Sequence, residues 1–262
     1  MLAAERQARI AEEILRRGSA RVSEFARLFG VSDMTIRRDL DVLAQQGLLD
    51  KVHGGATRRV PSTDEPGFEA KSARQTVEKE AIAEAAAALV EPGAAVGISA
   101  GTTTWALARH LRDVPGLTVV TNSIRVADVF DLTGTANQEI VLTGGVRTPS
   151  DALVGPLAVA ALAELHLDTV FLGVHGMRPD AGYTTPNLLE AEADRALVAA
   201  GQQLVVVADH TKWGVIGIST IAPLDRADIV ITDDGLAGEA RDELAAHVAD
   251  VRAVAARRAP HG

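Results

Sequence analysis

The sequence predicts an α/β protein in two parts, a small helical head closed by a hairpin and a larger body built on a mainly parallel, Rossmann-like sheet. Three observations predict it. Residues 22–55 hold two short apolar stripes at helical spacing, split by a Gly30-Val31-Ser32 turn and followed by a Gly-rich tail. Beyond residue 76, short runs rich in Val and Ile alternate with helical or mixed segments, the pattern of buried parallel strands covered by helices. Charge divides in the same way: residues 1–60 carry 11 Lys and Arg against 8 Asp and Glu, and the remainder 15 against 27. Only the head suits a polyanion, and an acidic body should face away from one.

In chain order, Ile10, Ile14 and Leu15 form the apolar face of a first helix, and Phe25, Leu28 and Phe29 that of a shorter second. In the third, Ile36, Leu40 and Leu43 make one buried stripe, which turns Arg37, Arg38 and Asp41 outward. Ser32 stands where its hydroxyl can accept from an unpaired backbone N–H, so this helix starts close to Asp33. After Gly47 the stretch Lys51-Val52-His53-Gly54-Gly55 can form a hairpin wing. Three short helices and a wing outline a winged helix-turn-helix.

Such a helix enters the major groove of double-stranded DNA with its N-terminal residues at base edges, while its neighbour crosses the phosphate backbone. Ser32, Met34, Thr35, Arg37 and Arg38 are the candidates there, Arg for guanine, an apolar group for a thymine methyl, and hydroxyls for bases or phosphates. Lys51, His53, Gly54, Arg58 and Arg59 suit phosphate contact from the wing. Taken alone, paired helices with a Gly turn and an Arg pair also describe an ordinary solvated helix face.

Residues 60–75, with prolines, a glycine and mixed charge, read as a linker between the head (1–59) and the body (76–255); residues 256–262 read as a loose tail. A helix is expected over 78–90. Strands are expected at 94–98, 117–120, 140–142, 169–172, 204–207 and 229–231. In parallel sheets ligands bind beyond the carboxyl ends of the strands, so the loops there are the candidate site. The first runs Ser99-Ala100-Gly101-Thr102-Thr103-Thr104 into a helix at 105–111. It reads either as an anion cradle, with backbone N–H groups and the helix dipole aimed at a phosphate, or as a Thr-rich N-cap. Asn122, Gly144, Gly145, His175, Glu190 and Lys212 complete the candidate rim: an amide for hydroxyls, glycines for close approach, and a lysine as a point charge for phosphate.

Cysteine is absent, so disulfides and thiolate metal sites are excluded, and His166, His175 and His210 lack ligand spacing; neither a metal nor a cofactor is expected. Neither a signal peptide nor a membrane-length apolar run is evident, and the cytoplasm is the expected location. Only 3% of residues are aromatic, which disfavours stacking platforms for single-stranded nucleic acid.

The stretch VSDMTIRRDLDVLAQQGLL followed by KVHGGA resembles the N-terminal domain of the DeoR family of bacterial transcriptional regulators. The body stretches GTTTWALARHL, TNSIRVAD, LTGGVRTPSDALVGP, FLGVHGM, GYTTPNLLEAEADRAL, VVVADHTKWG and IVITDDG resemble that family's effector domain. The resemblance implies a fold like ribose-5-phosphate isomerase, glucosamine-6-phosphate deaminase and the CoA transferases. It also implies a sugar-phosphate effector and a homodimeric or homotetrameric repressor of a carbohydrate-metabolism operon. Two positions depart from it: the family usually carries an acidic residue at Ser99 and an Asp at His175. His175 stands either as a ligand group or as a hydrogen-bonded loop histidine. The alternative function is a sugar-phosphate isomerase carrying a helix-turn-helix. Isomerisation needs a base beside the carbon acid, with Glu190 and Asp209 the available carboxylates, yet an acid at a helix start also serves the dipole.

Overall fold

The computed structural model describes residues 2–17, 19–52, 54–58, 67–130 and 136–256 and divides into two compact units, Met1–Pro61 and Ser62–Gly262. The expected contacts of His53 and Arg59, and the side chains of Leu15 and Arg58, lie outside the described residues.

The first unit comprises α1 (Ala3–Arg17), β1 (Ser19–Arg21), α2 (Val22–Phe29), α3 (Asp33–Gln45), β2 (Leu49–Val52) and β3 (Gly55–Arg58). The three strands form one antiparallel sheet in the order β1-β3-β2. Ile10, Ile14, Val22, Phe25, Ile36, Leu40, Leu43 and Leu49 close a single core. Phe29 stacks on Phe25 at 6.0 Å, whereas Leu28, expected on the same face, is exposed. Gly30 ends α2 at φ 65°, a left-handed conformation that glycine adopts without a Cβ penalty. Ser32 caps α3, its hydroxyl accepting from the Thr35 N–H at 3.2 Å, so the expected start at Asp33 holds. An unanticipated ion pair joins α1 to α3: Arg6 donates to both carboxylate oxygens of buried Asp39, Nε at 2.5 Å and Nη2 at 3.2 Å, and Gln7 adds a third bond at 2.9 Å.

The second unit opens with α4 (Phe68–Ser72) and α5 (Thr76–Ala87). The linker expectation is therefore corrected at its C-terminal end, because Phe68 is buried edge-on against Trp105 at 5.8 Å. Helix α5 stops short of residue 90; Leu89 and Val90 continue in tight i to i−3 bonds to Ala86 and Ala87.

Next come β4 (Ala95–Ile98), α6 (Thr102–Leu111), β5 (Thr118–Thr121), α7 (Ile124–Ala127), β6 (Glu139–Leu142), β7 (Val146–Arg147), β8 (Leu153–Val154) and α8 (Pro156–Leu162). The chain then runs through β9 (Leu167–Gly173), β10 (Gly176–Arg178), β11 (Gly182–Thr185), α9 (Leu188–Ala200), β12 (Gly201–Val207), β13 (Ser219–Ala222), β14 (Ile229–Asp233), α10 (Gly238–Ala245) and β15 (Asp250–Val254).

Seven strands form one sheet in the order β15-β14-β12-β9-β4-β5-β6, and every pairing is parallel. Side chains alternate between its faces. Val170, Leu172, Leu204 and Val206 join Leu197 of α9 and Leu244 of α10 in one core. Phe171, Val205 and Val207 join Ile82 of α5 and Leu107 of α6 in the other. All six expected strands are present. The seventh, β15, was not anticipated, because Asp250, Arg252 and their neighbours sit half-buried or exposed at the sheet edge and make no apolar run. The small antiparallel sheet β10-β11-β13 and the hairpin β7-β8 are also additions. Among the described residues no helix is long and apolar enough to cross a membrane.

Candidate functional site

On α3 the i, i+3, i+4 stripe Ile36, Asp39, Leu40 and Leu43 is buried, and the opposite face presents Met34, Arg37 and Arg38. Met34 is 70% exposed, a costly place for a large apolar side chain unless a partner covers it. Thr35 shares a 2.9 Å hydrogen bond with Ser32, which orients both hydroxyls at the helix N-terminus. Lys51 of β2 is ion-paired with Asp41 of α3, so part of the expected wing charge is already balanced within the unit.

The second candidate site lies at the carboxyl ends of the central strands. The chain order runs outward from β4 through β5 to β6, and outward the other way from β9 through β12 and β14 to β15. The sheet therefore has its switch point between β4 and β9, where loops diverge and leave a crevice. A cleft of about 590 Å³, counting its open mouth, occupies that place.

Its floor is the N-terminus of α6. Gly101 caps the helix without any side-chain bond, so the first N–H groups of α6 are not taken by a cap. The loop is fixed from behind: Asn122 accepts from the Ala100 N–H at 2.9 Å, and buried Ser99 accepts from the Gly173 N–H at 2.9 Å. Lys212 borders the cleft from a short 3-10 turn, His210–Lys212, capped by Asp209. Burial pushes the Lys212 ammonium below its ordinary 10.5, with Asp209 opposing the fall and Lys71 and Arg74 adding to it. Lys71 of α4 also lines the cleft.

Two carboxylates line the cleft as well. Glu190 and Asp194 stand one turn apart on α9, both nearly buried, both lining the cleft. Asn187 caps α9, and Glu190 accepts from Thr148 at 2.5 Å and from Ser150. Those hydroxyls hold the carboxylate in place. His175 also lines the cleft, its backbone N–H bonded to the Thr184 carbonyl at 3.1 Å.

Of the rim residues expected from sequence, Gly101, Thr102, Thr103, His175, Glu190 and Lys212 come together in the cleft. Ser99, Thr104 and Asn122 do not line it. Thr104 is fully buried, donating to the Gly101 carbonyl at 3.1 Å, and Ser99 and Asn122 brace the loop from the core side. Gly144 and Gly145 lead into the β7-β8 hairpin; a Cβ on Gly145 would sit 2.4 Å from the Val154 carbonyl oxygen, so that glycine serves strand packing. Sequence reasoning missed Lys71, Ser150, Thr185 and Asp194. The four-residue spacing from Glu190 could have exposed Asp194, but Lys71 fell in the stretch read as linker. No group of three or more His, Asp and Glu side chains is placed to hold a metal ion among the described residues.

Residues 6–61 match the DeoR-like helix-turn-helix domain, and residues 74–234 match the DeoR C terminal sensor domain. The chain belongs to the DeoR family. It is a DNA-binding transcriptional regulator with a sensor domain. This DeoR regulator is 36% identical to the HTH-type transcriptional regulator YulB of Bacillus subtilis, over 90% of this chain and 91% of YulB. It is 38% identical to YgbI of Escherichia coli K12, over 90% and 92%. It is 33% identical to the HTH-type transcriptional repressor CsqR of the same organism, over 84% of each. These relatives are named as regulators, not enzymes. Among solved structures, ribose 5-phosphate isomerase A of Methanocaldococcus jannaschii superposes with a TM-score of 0.37 at 15% identity, over 52% of this chain and 53% of that one.

In the sensor domain of the DeoR regulator, at the turn after β12, His210 Nδ1 pairs with Asp233 Oδ2 at 2.7 Å, and the His210 N–H donates to Oδ1 at 2.7 Å. The Asp233 carboxylate holds His210 above its ordinary 6.5. Burial pushes the Asp233 carboxyl up, but the bonds from His210 outweigh it and leave Asp233 below 3.8. The ion pair is therefore complete between those two limits, and its contribution fades as pH rises through the raised His210 value. In Asp233→Asn the His210 imidazole should titrate at lower pH than in the wild type, read by NMR of the ring protons; unchanged titration would show that Asp233 is not its partner.

Proposed function

We propose that this protein is a repressor whose hold on operator DNA is controlled by a phosphorylated sugar or related polyhydroxy metabolite bound in the cleft at the β4/β9 switch point. One observation carries the reading: an uncapped helix N-terminus, the ammonium groups of Lys212 and Lys71, and the carboxylates of Glu190 and Asp194 all line one cleft. The N–H groups, the dipole and the ammonium charge suit a phosphate. The carboxylates suit hydroxyls, which donate to them. An elongated ligand with an anionic head and a hydroxylated tail satisfies both. The name of the relative CsqR supports repression as the sign of control.

The protein acts in the cytoplasm as a homodimer or homotetramer, since two recognition helices must meet successive major grooves at ~34 Å spacing. The effector must bind the state with low DNA affinity more tightly than the DNA-bound state. Met34, Thr35, Arg37 and Arg38 read the operator, with Ser32, Lys51, His53 and Gly54 at the backbone. Fluorescence anisotropy with the protein's own upstream DNA, at two salt concentrations and with a panel of phosphorylated sugars, tests the whole scheme. Selective binding that no phosphorylated compound alters would overturn the effector assignment.

Arg38→Ala separates the two activities. Loss of one base-reading guanidinium should weaken operator binding by about 1–3 kcal/mol, roughly 5- to 150-fold. Effector affinity, measured calorimetrically without DNA, should be unchanged; an unaltered operator affinity would remove Arg38 from the reading face.

A further inference from the structure

Helix α4 is only five residues long, yet three side chains of the body fasten it. Phe68 packs edge-on against Trp105 at 5.8 Å, and the Arg125 guanidinium covers the Phe68 ring, 5.0 Å from its centroid. Arg125 also bonds Glu69 at 2.9 Å while its Nε holds Asp151 at 2.7 Å. Buried Lys79 of α5 donates to the Lys71 and Arg74 carbonyls, both at 2.6 Å, satisfying the C-terminal carbonyls of α4.

Two further features set this segment apart from the rest of the body. Its junction with α5 turns on Gln75, which has a left-handed backbone (φ 50°, ψ 44°) that non-glycine residues seldom adopt. A second hollow of about 350 Å³, counting its mouth, lies along Ser72, Thr76, Lys79, Trp105 and Arg109, between the end of α4 and helices α5 and α6. Thr102 lines both this hollow and the cleft. The hollow leaves the junction of α4 with α5 and α6 incompletely packed. It is also the first helix after the chain that leads from the DNA-reading unit.

We propose that Lys71 is a ligand-contacting residue delivered to the cleft by α4, so that an anion bound at the N-terminus of α6 fastens α4 as a strap. This rests on the reading of the cleft as an anion site and adds the element that responds to it. The anion is held by donors from two sources, the N–H groups of α6 and the Lys71 ammonium on α4, and bridging them adds a further tie between α4 and the body.

Hydrogen exchange on the full-length protein, read by mass spectrometry with and without inorganic phosphate at matched ionic strength, tests it. Phosphate should slow exchange in residues 100–105 and, roughly tenfold, in residues 68–74. In Lys71→Met, with phosphate raised until residues 100–105 are again protected, residues 68–74 should exchange as in the ligand-free protein. Protection of 100–105 alone in the wild type would overturn the strap and leave the anion site standing. Protection of neither would overturn both. Protection of 68–74 that survives Lys71→Met would show that α4 responds by another route and remove Lys71 from the proposal.

Discussion

Lys212→Ala should shift the response to effector to far higher concentration while leaving ligand-free operator binding intact. Lys212 is the ammonium that the capped turn after β12 holds at the cleft, and burial already lowers its affinity for a proton. A bound phosphate reverses that effect, because an opposite charge at hydrogen-bond distance favours the charged form. Ligand binding therefore takes up a proton, and effector affinity should fall as pH rises past the free lysine's lowered value. Removing one charge-assisted contact should weaken effector binding about 10- to 100-fold. The measurement is operator occupancy against effector concentration for wild type and variant. Equal release of DNA by both would place the ligand elsewhere.

Ile36→Ala should cost the first unit much of its stability and, with it, operator binding. Ile36 is fully buried among Ile10, Phe25, Leu40 and Leu43. Truncating such a side chain costs about 2–4 kcal/mol. A domain of about 60 residues commands only roughly 3–9 kcal/mol in total. Both tryptophans, Trp105 and Trp213, belong to the second unit, so their fluorescence reports its unfolding alone. The expected result is an early loss of helix by far-UV circular dichroism and weakened DNA binding, with the tryptophan-monitored transition unmoved. Ile36→Val, which removes a single methylene, should retain most of the binding. Wild-type DNA affinity and dichroism in Ile36→Ala would show that this core does not depend on Ile36.

Both effects follow from patterns that can be read in one dimension. The stripe Ile36, Leu40 and Leu43, the Ser32 cap and the Gly30 turn are relations between residues within seven positions of one another. Helical geometry alone determines which of them share a face. The same holds for the six apolar strand runs, and for the placing of Gly101–Thr103 and Lys212 just beyond strand ends. Burial of a parallel sheet on both faces leaves a continuous Val- and Ile-rich signature.

Other features were decided by tertiary structure. Arg6 and Asp39 are 33 residues apart, and only the packing of α1 on α3 turns two charged residues into a buried pair. β15 is an edge strand whose partner β14, not its own composition, makes it a strand. Ser99, Thr104 and Asn122 flank the cleft in sequence, but their side chains brace the loop instead of lining the cleft, because each is taken up by a backbone group of the loop or of the neighbouring strand end. Lys71 lies in a stretch whose composition reads as a linker and reaches the cleft only because Phe68 finds Trp105 and Lys79 finds the carbonyls of α4. Local periodicity specifies which elements form and which face of each is apolar. Which polar side chains converge on one cleft depends on contacts between residues distant in sequence, and those are set only when the sheet order brings β4 beside β9.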